Sequence, residues 1–218
     1  AIGWVTNLIQ RAAASAKRVG DIMDMASDIN DDNEFHDNVY DHSGITFQHV
    51  GMKYPGRTIP ALEHVHFTVP RGTSLGIVGA TGSGKSTIAA LLPRLFDPTN
   101  GDIFIDNVSI KHIPLHELRS KIGLVQQETF LFSMSLTDNI RFGKPNASIE
   151  EVHIAAELAG LAEDIATFPK GYDTIVGERG ITLSGGQKQR TAIARAIIRN
   201  PEILIFDDVF SAVDTATE

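Results

Sequence analysis

The spacing of apolar residues divides the chain into a helical first segment and a mixed remainder. From Ile2 to Ile29, apolar side chains recur at intervals of three and four, which predicts one amphipathic helix of about 40 Å if unbroken. Apolar and polar residues then alternate over Ile45–Val50 and again over Val65–Val69. This period of two predicts a pair of half-buried strands.

Shorter patterns farther along predict further strands and helices. Strands are expected at Ser74–Val78, Asp102–Ile105, Ile122–Val125 and Ile203–Phe206, the first and last of them buried. Helices are expected from Ile88 onward, near Leu115–Arg119, over Leu136–Arg141 and Ser148–Leu161, and after Gln187. Ser148, followed three residues later by Glu151, forms a capping box that marks a helix start.

Length and composition narrow the class of protein. At 218 residues, the chain has room for one large domain and a short extra element. The net charge of −8 argues against nucleic acid as the main partner, and the absence of cysteine excludes disulfides and zinc–thiolate sites. No run of about eighteen apolar residues occurs, so we expect that the chain does not cross a membrane by itself. An acidic, polar stretch at 30–44 is interpreted as a solvated linker.

The segment Gly79–Thr87 fits the pattern G-x-x-x-x-G-K-[ST] between a predicted strand and a predicted helix. Its glycines leave backbone N–H groups free to face phosphates, and the helix start adds a positive dipole end. Lys85 is expected to reach the β- and γ-phosphates of a nucleotide, and Ser86 to bind Mg²⁺. A chance glycine turn is the alternative. The expected binding residues are Gly79, Thr81, Gly82, Ser83, Gly84, Lys85, Ser86 and Thr87.

Two later motifs accompany this phosphate loop. Leu183-Ser184-Gly185-Gly186-Gln187 opens the last predicted helix, and Ile203–Phe206 leads into Asp207-Asp208. In order and spacing, the three motifs resemble the nucleotide-binding domain of an ABC transporter, and the resemblance covers residues 45–218. It implies an α/β P-loop NTPase fold with a mainly parallel core sheet, an antiparallel β subdomain and a helical subdomain, preceded by one long helix.

Other segments resemble the exporter branch of that family. Leu131-Phe132-Ser133, Asn139-Ile140-Arg141 and Val176–Gly180 look like exporter segments that meet the coupling helices of a membrane domain. Residues 1–29 look like the cytosolic end of an exporter's last transmembrane helix. The resemblance implies a fragment that lacks its membrane domain, ends before the family's switch histidine, and belongs at the cytoplasmic face of the cell (inner) membrane.

The resemblance also assigns roles to single residues. Tyr54 would stack on adenine, and the alternative is an ordinary surface aromatic in a turn. Gln127 would contact Mg²⁺ and the attacking water, but Gln126 stands where the family usually has proline, so the choice between the two glutamines stays open. Asp207 would hold Mg²⁺, as expected for a carboxylate at the C-terminal end of a parallel strand beside the phosphate loop. Two domains would pair head to tail, and ATP on one would meet the partner's Ser184, Gly185, Gly186 and Gln187.

Asp208 departs from the family pattern, in which glutamate follows the Mg²⁺ aspartate as general base. Aspartate is one methylene shorter, and withdrawing a base by about 1 Å can slow a reaction about a hundredfold. Beside an intact signature, this change resembles the weak-site member of a heterodimeric exporter. A homodimer that tolerates aspartate, or a backbone shift that restores its reach, is the alternative.

Three functions follow as hypotheses. The leading one is an ATP-hydrolysing exporter subunit that uses ATP and Mg²⁺, with catalytic residues Asp208, Gln127 and Lys85 and metal ligands Ser86, Gln127 and Asp207. The second is a regulatory half that binds ATP, hydrolyses little and completes its partner's site. The third is a soluble ABC-type ATPase, which the acidic balance and the exporter-like first helix disfavour. The transported substrate cannot be inferred, because its contacts would lie in the membrane helices.

Overall fold

The computed structural model describes residues 2–31, 41–177 and 183–208. The chain divides into two compact units, Ala1–Asp32 and Asn33–Glu218. Of the predicted linker at 30–44, residues 32–40 lie outside the described residues, and 41–44 are irregular. The expected linker therefore stays a prediction.

The first unit contains helix α1, Ile2–Met23, none of whose residues is buried. The helix ends before the predicted Ile29. The Ser27 hydroxyl donates a hydrogen bond to the carbonyl oxygen of Ile29 at 2.7 Å, and such local side-chain bonds compete with helical ones. Among the described residues, no helix is both long and apolar enough to span a membrane.

The second unit contains a four-stranded antiparallel sheet in the order β2-β1-β3-β4. Its strands are β1 Ile45–Met52, β2 Leu62–Val69, β3 Asn100–Ile105 and β4 Val108–Ser109. Phe47 in the central strand pairs with Phe67 on one side and Ile103 on the other. Helices α2 (Lys85–Leu91) and α3 (Leu115–Lys121) contribute to the same hydrophobic cluster. The antiparallel subdomain is therefore present as predicted.

Strands β5, Ile122–Val125, and β6, Ile203–Phe206, form a parallel pair. The prediction of a strand at Ser74–Val78 is wrong, because this segment pairs with no strand among the described residues and Val78 is 95% exposed. The predicted burial of β6 is also incorrect in part, since Leu204 and Phe206 are exposed. One face of a two-stranded sheet stays open where no further layer covers it.

Helices α4 (Leu136–Arg141), α5 (Ile149–Leu158), α6 (Ala162–Thr167) and α7 (Gly185–Ile197) surround a second hydrophobic cluster. The predicted capping box opens α5, with Ser148 and Glu151 bonded to each other's backbone N–H groups. Gly143, just after α4, approaches α7 so closely that a Cβ there would lie 2.1 Å from the carbonyl oxygen of Arg195. These contacts join the four helices into the predicted helical subdomain.

Candidate active site

The phosphate loop ends at Gly84, which caps α2 in a left-handed conformation with φ of +93°. A Cβ at this position would lie 2.6 Å from Cδ2 of Leu62, so both the backbone angle and the space require glycine. The Lys85 ammonium donates to the carbonyl oxygens of Gly79 at 2.8 Å and Ala80 at 3.0 Å. Because an ammonium only donates, phosphate oxygens can replace these carbonyls as its acceptors. The turn before Gly84 is formed by Thr81, Gly82 and Ser83.

Four predicted side chains form two hydrogen-bonded pairs where β5 and β6 end. The N–H of Asp207 donates to the carbonyl oxygen of Val125 at 2.9 Å, which continues the parallel ladder past β6. The Asp207 carboxylate accepts a hydrogen bond from the Ser86 hydroxyl at 3.0 Å, across 121 positions of sequence. Asp208, with φ of 51°, accepts from Nε2 of Gln127 at 3.0 Å. Parallel strands end at one edge of a sheet, which is why these distant residues come together.

The Ser86–Asp207 pair fits a magnesium site. A hydroxyl and a carboxylate supply the hard oxygen donors that Mg²⁺ binds, usually together with water and phosphate oxygens. Adjacent ligands of an octahedral ion with bonds near 2.1 Å are about 3 Å apart, and the two oxygens are 3.0 Å apart. Gln127, the third predicted ligand, donates to Asp208 through Nε2, which leaves its amide oxygen for a metal ion.

Tyr54 is linked to the phosphate loop through its hydroxyl group. The hydroxyl donates to Oγ1 of Thr87 at 3.2 Å, and Thr87 lies in the first turn of α2. The ring meets Phe96 edge-on, with centroids 5.1 Å apart. The ring is half-buried beside the loop, a position compatible with stacking on a nucleotide base.

The signature segment begins α7 with a capping box that the sequence analysis did not note. The Ser184 hydroxyl accepts from the N–H of Gln187 at 3.2 Å, and Oε1 of Gln187 accepts from the N–H of Ser184 at 3.0 Å. The S-x-x-Q spacing was the available signal. In the described part of the chain, the hydrogen bonds of Ser184 and Gln187 reach only α6 and α7, not the phosphate loop.

The exporter-like segments join each other beside α7. Asn139 is fully buried, and its side chain exchanges hydrogen bonds with the backbone N–H and carbonyl of Phe132 at 2.9 and 3.0 Å. Arg195 donates to the carbonyl oxygens of Asn139 and Phe130, both at 2.8 Å. Burial lowers the pKa of Arg195 from its ordinary value. Of the segment Val176–Gly180, Val176 is buried, and residues 178–180 lie outside the described residues.

A cleft of about 550 Å³ opens between β5, the segment after it, the end of α4 and α7. Three aromatic rings line it, those of Phe130, Phe132 and Phe142, together with the side chains of Arg195 and Arg199. Phe130 and Phe142 are more than half exposed. Exposed aromatic rings beside cations are typical of protein interaction sites.

Fold and site together define an ABC ATPase fold of the phosphate-loop class, mixed α/β with an antiparallel sheet and a helical subdomain. A family model described as "ABC transporter" matches residues 62–211, more than half of the chain. The chain therefore belongs to the ABC transporter family, which confirms the resemblance seen in its motifs.

Curated relatives and a solved structure support this assignment. The chain is 44% identical over its full length to a "Probable multidrug resistance ABC transporter ATP-binding/permease protein YheI" of Bacillus subtilis (strain 168), and covers 37% of it. It is 43% identical over its full length to a "Multidrug resistance-like ATP-binding protein MdlA" of Escherichia coli (strain K12), again covering 37%. A "bacterial Atm1-family ABC exporter with ATP bound" matches with a TM-score of 0.88 at 41% identity, over 99% of this chain and 38% of that one. The chain thus spans a little over a third of these proteins.

Proposed function

We propose that this chain is the ATP-binding and ATP-hydrolysing part of an ABC exporter at the cytoplasmic face of a membrane. The contact between Ser86 and Asp207 carries the proposal, because it joins the phosphate loop to the acidic end of β6 as a magnesium–nucleotide site requires. The names of the matched relatives and of the solved exporter favour transport over a soluble ATPase.

The site residues have separable roles in this proposal. Lys85 exchanges its carbonyl acceptors for phosphate oxygens, and Tyr54 supports the adenine ring. Ser86 and Asp207 would hold Mg²⁺, with Gln127 as a further ligand, and a bound ion would supply positive charge that neutralises the phosphates. Asp208 accepts a proton from the attacking water, and Gln127, now bonded to Asp208, orients that water.

The same proposal pairs two such domains head to tail, so that the signature of one contacts the ATP of the other. The Ser184 oxygen accepts from the N–H of Gln187, which leaves the hydroxyl proton for a phosphate oxygen. Ser184 lies at the start of the thirteen-residue helix α7, where the helix dipole favours an anion. ATP would hold the dimer closed, and hydrolysis would release it.

The membrane domain of the full protein would dock at the cleft beside Phe142. The exposed rings of Phe130 and Phe142 line this cleft with apolar surface. Arg195 of α7 also lines it and donates a hydrogen bond to the carbonyl oxygen of Phe130. Helix α1 would be the cytosolic end of the last transmembrane helix. Movement of the nucleotide domains would then reach the membrane domain through this cleft and through α1.

A second candidate is a catalytically weak half that completes its partner's site. Asp208 favours it, because its short side chain is already bonded to Gln127 and stands where the family has glutamate. In a heterodimer, this chain's own loop would form the weak site and its signature the strong one. A homodimer in which Asp208 is a competent base is the alternative.

Steady-state ATP turnover of the full-length protein in membranes separates these candidates. Asp208→Glu is compared with the unaltered protein and with Asp173→Glu, which lengthens an exposed aspartate outside the site by the same methylene. We expect at least a tenfold rise for Asp208→Glu only, by restoring about 1 Å of reach. Fast turnover without a gain would make Asp208 a competent base and remove the main support for the heterodimer. If every variant binds ATP but none hydrolyses it, the chain would function as the catalytically weak half that completes its partner's site.

A further inference from the structure

Asp164 lies in the first turn of α6 and uses both carboxylate oxygens on α7. Oδ1 accepts a hydrogen bond from Nε2 of Gln187 at 3.1 Å. Oδ2 accepts from Nε and Nη2 of Arg190 at 2.9 and 2.7 Å. The side chain of Asp164 is 22% exposed and that of Arg190 11%, so this charged pair is largely withdrawn from water. No sequence motif includes Asp164.

The carboxylate of Asp164 determines which way the Gln187 amide points. A carboxylate only accepts hydrogen bonds, so the end of the amide that faces Asp164 must be its NH₂ group. The amide oxygen then faces the backbone N–H of Ser184, at 3.0 Å. The reversed amide would place two donors together at Ser184 and two acceptors together at Asp164. Asp164 therefore selects the one orientation that completes the capping box.

Arg190 holds the Asp164 carboxylate in the orientation that this selection needs. Its two N–H groups bind Oδ2 and leave Oδ1 for Gln187. A guanidinium only donates, and its planar fork places both N–H groups on the same carboxylate oxygen. The result is a fixed series of donors and acceptors from Arg190 through Asp164 and Gln187 to the backbone of Ser184.

We propose that Asp164 is a positioning residue for the signature, which acts through Gln187 to orient the Ser184 hydroxyl. With the capping box complete, the Ser184 oxygen accepts from the N–H of Gln187, which leaves the hydroxyl proton available for donation. Terminal phosphate oxygens of ATP in the opposing subunit are the acceptors that such a donor fits. The inference rests on the proposed head-to-tail pairing and extends it to a residue of α6.

The test is Asp164→Asn in the full-length protein, measured in membranes beside Glu163→Gln. Asparagine keeps the size of the side chain but can present its own NH₂ group to Gln187, which permits the reversed amide. We expect kcat for ATP to fall about tenfold or more, the effect of one hydrogen bond to a charged group. KM for ATP is expected to rise as well, because the Ser184 hydroxyl would contact ATP only when the two subunits close on it.

Glu163 is the matched control, because it is the exposed neighbour of Asp164 and loses the same charge when changed to glutamine. Its turnover should stay within about twofold of the unaltered protein, as expected for a surface substitution. Equal losses in the two variants would trace the effect to charge alone and overturn the positioning role.

A second variant tests the donor–acceptor order itself. In Asp164→Asn combined with Gln187→Glu, the asparagine NH₂ donates to a carboxylate, whose other oxygen accepts from the N–H of Ser184. The exchange leaves the net charge of the pair unchanged. We expect the double variant to recover at least a third of the lost turnover. A double variant as slow as Asp164→Asn would contradict the proposal.

ATP-driven closure of the two subunits can be measured as the distance between spin labels. This measurement separates the role of Asp164 from the proposed ATP hydrolysis. Closure that needs about tenfold more ATP in Asp164→Asn supports the positioning role even where turnover is absent. Absence of turnover in the unaltered protein would overturn the proposed hydrolysis and leave this readout intact. Closure at the same ATP concentration in Asp164→Asn as in Glu163→Gln would overturn the role of Asp164.

Discussion

Tyr54 shows how one residue can combine two contacts with separate consequences. Its hydroxyl is bonded to Thr87 in the phosphate-loop helix, and its ring packs edge-on against Phe96. The hydroxyl bond is a local link between two protein segments, while the ring is the part able to stack on adenine. Substitutions that remove one contact at a time can therefore show whether the ring or the hydroxyl of Tyr54 supports ATP binding.

Tyr54→Ala should weaken ATP binding by about tenfold, because stacking of an aromatic ring on a base contributes about 1–3 kcal/mol. Tyr54→Phe keeps the ring and loses only the bond to Thr87, so its affinity should stay within about threefold. Equilibrium binding of a fluorescent ATP analogue to the full-length protein measures both. Equal losses in the two variants would assign the effect to the hydroxyl and refute base stacking.

Residues of the phosphate loop and of the acidic pair could be predicted because their chemistry is contained in short runs of sequence. Gly84, Lys85 and Ser86 are neighbours, and Asp207 and Asp208 directly follow a strand. Asp164 could not be predicted in this way. Its partners Gln187 and Arg190 are 23 and 26 positions away, and only the packing of α6 on α7 brings them together.

Helices α5 and α7 both begin with a capping box. Ser148 and Glu151 form the capping box of α5, and Ser184 and Gln187 form that of α7. Both serines satisfy backbone N–H groups that a helix start leaves without partners. Only Ser184 lies in the signature. Comparing substitutions of the two serines therefore separates effects on helix stability from effects on ATP turnover.

Ser148→Ala and Ser184→Ala should each destabilise the first turn of their helix by about 1 kcal/mol. Hydrogen exchange of the amides in that turn should accelerate to a similar degree in both variants. ATP turnover should fall only for Ser184→Ala, because only that hydroxyl is proposed to donate to ATP. A comparable fall for Ser148→Ala would mean that helix stability alone limits turnover.

The predicted strand at Ser74–Val78 shows the limit of pattern reasoning for single elements. Its apolar run has the composition of a buried strand, yet the structure shows an irregular segment with Val78 exposed. A strand needs a hydrogen-bonded neighbour, which a pattern within one segment does not supply. The helix starts at Ser148 and Ser184, by contrast, depend on residues three positions apart.

The cleft beside α7 belongs to the whole second unit, because β5, α4, α7 and the segment after β5 each contribute a wall. Arg195 links these walls through bonds to the carbonyls of Asn139 and Phe130. A partner held here would sense the position of α7, whose first residues form the signature. In the proposed exporter, this cleft would transmit movement between the nucleotide site and the membrane domain.

Phe142→Ala should reduce ATP-dependent transport by the full-length protein about tenfold while ATP affinity stays within about twofold, as expected for an aromatic anchor of an interface. Ile154→Ala, on α5, is the control, because both side chains are 56% exposed and only Phe142 lines the cleft. Efflux of a dye from vesicles, measured beside nucleotide binding, distinguishes the two effects. Equal transport by Phe142→Ala and Ile154→Ala would place the docking surface elsewhere.

From the sequence alone, the family, the phosphate loop, the acidic pair after β6 and most of the helices and strands could be predicted. These features depend on residues close together in the chain, where backbone angles, caps and periodic burial act locally. The contacts of Gln127 with Asp208, of Ser86 with Asp207 and of Asp164 with Gln187 are visible only in the folded chain. Those contacts join distant segments, and their geometry depends on how the parallel pair and the helices pack.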